Sequence, residues 1–344
     1  MDENTKGTFL LGVDVELAWG LVHRKKINLS EITRMCINAR KALDGVLDLF
    51  ERFQIPATWS ILGHLILDHC ERDNESELPH PDMPRPSYSW LKDDWYRYDP
   101  CTNLQKDPAW YGKDIVDRIV GYIKQSKLPH EIGCHSFSHQ HFGDPGCGEE
   151  LARTETKKCL ELMNKEYGII PRVFTFPRTY VGHIDVLKEL GFVAFIDTPP
   201  KLYPCVNLEK SATNYVKTYL SLILQFLSYY LLFPPHVVTA EEPIPRLWSV
   251  KACLGYGKKP LIPLRLVTVK AKQGIDRAIR EQKIFSMFAH LKEFGVDGFC
   301  RELEKVLAHV ERRRAEGKLE VRTLSELLRV YAEDSTITGK EVHK

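Results

Sequence analysis

Several things are scarce in this 344-residue sequence. Its net charge is only +2, so it carries no global signal for nucleic acid. No CxxC pair occurs among its nine cysteines, which are scattered from Cys36 to Cys300. An odd, unpatterned set of this kind reads as reduced thiols in a cytosolic protein. The opening MDENTKGTFLLGVDVE has no basic segment followed by an apolar one, so a secretory signal is not expected. There is no internal repeat and no low-complexity tract. Acidic residues are absent from Pro243 to Ile275, where Arg246, Lys251, Lys258, Lys259, Arg265, Lys270 and Lys272 fall. The longest apolar run, TYLSLILQFLSYYLLFPP at 218–235, is shorter than the roughly 20 residues of a membrane span.

What is present is ordinary in bulk and specific in detail. Hydrophobic residues make up 43% and charged residues 27%, as in a globular protein with a sizeable core. GTFLLGVDVE reads as a strand, and LSEITRMCINARKALDGVLDLFERF as a helix with Ser30 as its N-cap. ATWSILG, HEIGC, RVFTF, FVAFID, KIFSMFAHL and KLEVRT are further strands. Helices are expected at 113–124, at 149–167, over HIDVLKELG, over GVDGFCRELEKVLAHVERRR and over TLSELLRVYAE. Residues 71–112, rich in Pro, Asp and aromatics, read as a long loop. Alternation of strand and helix predicts a parallel α/β fold, and seven or eight units predict a barrel, regular or incomplete. The expected organisation is one domain over 1–334, with inserts near 68–112 and 200–260 and a frayed tail at 335–344. In such barrels chemistry sits where strands end.

Four stretches place chemistry-bearing side chains there. EIGCHSFSHQHFG holds His135, His139 and His141. Along a strand, residues four apart lie roughly 13 Å from one another, too far to share an ion. In a helical turn they are neighbours, so His135 and His139 suit a two-histidine clamp there. His141 then points elsewhere. GVDVE puts Asp14 and Glu16 on one face of a strand, and carboxylates are costly to bury unless paired or metal-bound. Arg178 in FTFPRTYVG follows an apolar strand and could hold a carboxylate by a bidentate pair. His290 ends IFSMFAHL. His64 ends ATWSILG and is a candidate substrate contact at the barrel mouth. Tyr180 and Trp95, the latter in the aromatic loop with Trp90, Tyr96, Tyr98 and Trp110, are candidate substrate contacts too.

Together these stretches resemble the polysaccharide deacetylase family, over roughly residues 7–330 apart from a divergent stretch near 200–260. EIGCHSFSH is similar to that family's His-Ser/Thr-x-x-His metal motif. GVDVE resembles its first motif in a variant with a spacer, and FPRTYVGHIDVLKELGF its third. The resemblance implies a distorted (β/α) barrel of about seven parallel strands. It implies Glu16, His135 and His139 as ligands of a divalent metal, zinc foremost, with manganese, cobalt or iron as substitutes. Asp14 is then the general base, Arg178 its orienting partner and His290 the general acid. Two departures stand out. Val15 separates the acidic pair, so base and ligand could exchange roles, and Pro177 precedes Arg178 where the family usually has Arg-x-Pro.

The expected activity is removal of an N-acetyl or N-formyl group from an amino sugar. The alternatives are a sugar O-deacetylase and a non-catalytic glycan- or lipid-binding protein on the same fold. The apolar segment 218–235 beside the basic stretch suggests peripheral contact with the inner face of a membrane and a lipid-linked substrate. A buried helix or a dimer interface are the other readings of that segment. No nucleic-acid partner is expected.

Overall fold

The computed structural model describes residues 6–70, 72–75, 77–198, 235–257 and 262–329. One ten-stranded sheet organises them. Its strands are β1 (Gly7–Val15), β2 (Thr58–Ile61), β3 (Glu131–Cys134), β4 (Val173–Thr175), β5 (Ala194–Asp197), β6 (Glu241–Ile244), β7 (Leu247–Lys251), β8 (Leu254–Gly255), β9 (Ile284–His290) and β10 (Leu319–Arg322). The spatial order is β6-β7-β5-β4-β3-β2-β1-β9-β8, with β10 also paired to β1. Every pairing is parallel except β6 with β7. The result is a curled half-barrel with helices, as expected of a distorted (β/α) barrel.

The helices are α1 (Leu29–Arg52), α2 (Lys113–Gln125), α3 (Glu149–Tyr167), α4 (Ile184–Glu189), α5 (Leu264–Glu281) and α6 (Phe299–Ala315). In α1, Ile32, Cys36, Ala39, Leu43, Val46 and Phe50 recur at three- and four-residue intervals and are buried. That stripe faces the core as an amphipathic helix requires. β1 is buried along nearly its whole length, as a central parallel strand must be when both faces are covered. Its register sets Asp14 beside His290 of β9 on one side and Ser60 of β2 on the other. Strand neighbours lie about 4.8 Å apart, so residues distant in sequence meet at one edge.

Two expectations need correction. The cap of α1 is Asn28, whose side chain accepts the Glu31 N–H, while Ser30 lies inside the helix and donates its hydroxyl to Asn28. The stretch from Pro243 to Ile275, read as basic, runs from the end of β6 through β7 and β8 into α5, whose buried Val267, Ala271, Ile275 and Ala278 form an apolar stripe. Residues 218–234 of the apolar segment lie outside the described residues. No helix among the described residues is long and apolar enough to cross a membrane.

Candidate metal centre

The C-terminal ends of β1, β3, β4 and β9 converge. β1 delivers Asp14 and, one residue past its end, Glu16. The chain then turns back in a 3-10 turn over Leu17–Leu21, which brings Gly20 against the Glu16 carboxylate. A β-carbon on Gly20 would collide with that carboxylate, so glycine is required for Glu16 to fold back. β3 ends at Cys134 and His135 follows, its N–H donating to the Ile61 carbonyl at 3.0 Å.

His135 and His139 do come together, with ring centroids 5.2 Å apart. They do so without a helical turn. Ser136 and His139 adopt left-handed backbone conformations, with φ of 61° and 67°, and this bent loop brings the rings side by side. Strain of this kind in non-glycine residues concentrates at functional sites. Glu155 of α3 holds the loop. Its buried carboxylate accepts the Phe137 N–H at 3.1 Å, the Ser138 N–H at 2.7 Å and the Ser138 hydroxyl at 2.6 Å. Tyr96 O–H donates to the same carboxylate at 3.3 Å. Glu155 was not singled out in the sequence, where one Glu in a charged helix carries no signal.

Glu16 Oε2 lies 3.4 Å from His135 Nε2 and 2.9 Å from His139 Nε2. His135 Nδ1 lies 2.7 Å from the Thr175 carbonyl. Donation there turns the lone pair of Nε2 towards Glu16, the arrangement that prepares a histidine to bind a metal. The Lys292 ammonium pairs with the other oxygen, Oε1. Glu16 is thus held on one side by a lysine and presents Oε2 with two imidazole nitrogens on the other. Two nitrogens and one carboxylate oxygen, all buried, are a donor set that fits a divalent cation. Lys292 also escaped the sequence reading, although it lies just beyond His290.

Asp14 and His290 flank this set. His290 Nε2 is 4.0 Å from Asp14 Oδ2 and 3.7 Å from Glu16 Oε1. Burial pushes the Asp14 carboxyl up to about 6, against the opposing pull of His135. Burial acts on Glu16 in the same sense, but Lys292, His290 and His139 override it and hold Glu16 well below the usual carboxylate range. Two unlike carboxylates therefore stand two residues apart, one anionic and one prone to take a proton.

The other expected residues fall differently. Arg178 is exposed at the rim, with φ of 55°, and among the described residues no hydrogen bond or ion pair joins it to Asp14. The strand register instead sets His290 beside Asp14, with Nε2 4.0 Å from Oδ2. Tyr180 is half exposed beside the ring of His141. Trp95 is buried, its indole N–H donating to the Ser138 carbonyl at 3.0 Å, so it supports the histidine loop and does not face a substrate. His64 is fully buried in another cluster, with His80 and Asp99, and does not reach the mouth. His141 is buried in a ring of His23, Tyr88, Trp90, Trp95 and Tyr180.

No family model matches the chain, and no curated protein matches it. Solved structures do. A Mycobacterium smegmatis protein described as a polysaccharide deacetylase aligns with a TM-score of 0.58 at 13% identity, covering 97% of this chain and 93% of its own. Puue allantoinase aligns at 0.54 and 12% identity, covering 96% and 91%. A Pseudomonas aeruginosa PAO1 protein, also described as a polysaccharide deacetylase, aligns at 0.54 and 12%, covering 94% and 89%. The fold is of the polysaccharide deacetylase type. At these identities the likeness speaks for the deacetylase-type fold and not for a substrate.

Proposed function

We propose that this chain is a metal-dependent hydrolase that removes an N-acetyl or N-formyl group from an amino sugar. The observation that carries the reading is the meeting of Glu16 Oε2 with both imidazole Nε2 atoms, beside Asp14 and His290, at the strand ends. Glu16, His135 and His139 would hold the cation. A divalent metal on such a set, zinc foremost, polarises an acyl carbonyl and lowers the pKa of water. Asp14 is the base that takes the proton from the attacking water at its carboxylate. His290, one third exposed, faces the solvent side and donates a proton to the departing amine. Lys292 keeps Glu16 turned, and the Thr175 carbonyl keeps His135 turned. Arg178 and Tyr180, exposed at the rim, would meet the sugar.

Acetate release from a panel of N-acetylated and O-acetylated sugars, with allantoin alongside, tests this on zinc-reconstituted protein. The proposal expects release from at least one N-acetylated sugar, abolished by His135→Ala. Release from O-acetyl sugars alone, or turnover of allantoin alone, would replace the substrate class. One observation favours a non-catalytic glycan-binding protein: the Lys292 ammonium already pairs with one oxygen of Glu16. Sugar binding without turnover or bound metal would establish that second reading.

A further inference from the structure

The loop between β2 and α2 has its own cluster, which the reaction above does not use. His64 Nε2 lies 3.1 Å from His80 Nε2 and 3.0 Å from Asp99 Oδ2. His80 Nε2 lies 2.8 Å from the same oxygen. Cys70 Sγ is 3.5 Å from Asp99 Oδ2 and 3.7 Å from His64 Nε2. We propose that His64, Cys70, His80 and Asp99 form a second metal site, a closed tetrahedral zinc site that staples this loop.

One donor atom from each of the four residues lies within 4.8 Å of the others, close enough to share one cation. Zinc bonds of roughly 2.0–2.3 Å give a tetrahedron with edges of about 3.3–3.7 Å. The edges above run close to that, slightly contracted among the nitrogens and oxygen. Hydrogen bonding alone serves the cluster badly. If both imidazoles donate from Nε2 to Asp99 Oδ2, two N–H groups stand head to head at 3.1 Å. His64 is fully buried among these groups. A cation between the Nε2 atoms removes the conflict. Zinc binding would release the Cys70 thiol proton and any proton on the two Nε2 atoms to solvent.

The surroundings look built for this. The Cys101 N–H donates to Asp99 Oδ1 at 2.9 Å, which leaves Oδ2 turned to the histidines. Tyr111 O–H lies 2.9 Å from Cys70 Sγ. His80 is held at φ 51°, in the left-handed region. Among the described residues from Leu67 to Gly112, the loop that carries three of the four ligands contains no helix or named strand. So long a segment in a compact fold needs something to order it. What it orders is the histidine loop: Tyr88 O–H donates to Gln140 Oε1 and accepts the His141 N–H, and Trp95 bonds the Ser138 carbonyl.

The test uses the full chain with His135→Ala and His139→Ala, which disables the first centre and leaves the second untouched. Metal content and zinc-edge X-ray absorption are read after zinc reconstitution and desalting. We expect one zinc per chain, with one sulfur neighbour at about 2.3 Å. Cobalt in place of zinc is expected to show a thiolate charge-transfer band that Cys70→Ala removes. No zinc, zinc with no sulfur neighbour, or a Cys70–Cys101 disulfide in the non-reduced protein would each overturn the site. Wild-type protein separates this from the proposed function. Two zincs support both, and one zinc with sulfur supports the staple but not the catalytic metal. One zinc without sulfur overturns the staple alone.

Discussion

Two histidine clusters of similar size lie in this fold, and they differ in what closes them. Glu16, His135 and His139 come from the ends of β1 and β3 and supply three donors. The partly exposed His290 flanks that set, its Nε2 3.7 Å from Glu16 Oε1. His64, from the turn after β2, and Cys70, His80 and Asp99, from the long loop that follows, supply four donors, including a thiol. Three donors leave a position where a substrate can complete the coordination, and four suit a structural site. The first set hangs from the ends of two strands, and the second set would make its own loop rigid. The same residue type thus serves chemistry or architecture according to how many neighbours it is given.

The sharpest way to break that contrast is to disable each cluster and compare outcomes. His135→Ala is expected to abolish deacetylation while the melting temperature changes little, because sheet and loop keep their other bonds. Asp14→Asn, which leaves all three donors in place, is expected to lower kcat by ~10²–10⁴-fold with metal content unchanged. His80→Ala is expected to do the reverse, lowering the melting temperature first and activity only as a consequence. Thermal unfolding and turnover measured on the same preparations decide it. A destabilised His135→Ala with a fully stable His80→Ala would reverse the assignment.

Next in size is Glu155, where the two regions touch. Its carboxylate gathers Tyr96 from the long loop and Phe137 and Ser138 from the histidine loop. Glu155→Ala leaves buried N–H groups without an acceptor, at a cost of about 1–3 kcal/mol for each unsatisfied group. Denaturant unfolding is expected to show a loss of about 3 kcal/mol or more. Glu155→Gln keeps an acceptor and should recover part of it. A neutral Glu155→Ala would mean that the loops hold each other without the carboxylate.

These two regions also show how far the sequence could be read. Most strands and helices were legible because apolar periodicity records burial directly. Asp14, Glu16, His135 and His139 were legible because acidic and imidazole side chains are out of place at the ends of apolar strands. His64 was noticed for the same reason and given the wrong surroundings. Its partners His80 and Asp99 lie in a loop with no period, so nothing in the sequence ties them together. Lys292 and Glu155 were missed because a lone charge on a turn or helix looks like solvated surface. The helical turn expected at His135–His139 is instead a left-handed bend, which residue spacing does not reveal.

His130 offers an imidazole belonging to neither cluster, against which acid effects on both can be judged. Its Nδ1 accepts the Ala57 N–H at 3.0 Å, and its Nε2 lies 3.3 Å from the Tyr122 hydroxyl. Burial lowers it from 6.5 to about 4. The unfolded chain therefore takes up this proton first as pH falls. Stability is full above 6.5 and declines through the window down to about 4, by a total of about 3 kcal/mol for this group. His130→Gln should flatten that part of the stability-against-pH curve. Metal loss measured across the same window then separates release of zinc from general acid unfolding. An unchanged slope in His130→Gln would put the acid sensitivity elsewhere.

The smallest expected effect is the most selective. Gly20 touches only the first cluster, because the space a β-carbon would fill is occupied by the Glu16 carboxylate. Gly20→Ala must push Glu16 off its position between Lys292 and the histidines. Such changes to a ligand's support typically cost 10–100-fold in metal affinity. The expected outcome is a 10–100-fold weaker first zinc in a competition titration with a chelator, while the sulfur-bound zinc keeps its affinity. Both zincs weakening together would mean that the two centres are coupled through the loop, and that the line between catalytic and structural metal is drawn too sharply. Neither weakening would mean that Glu16 is no ligand. The carboxylate would then have to come from Asp14, with base and ligand exchanged across Val15.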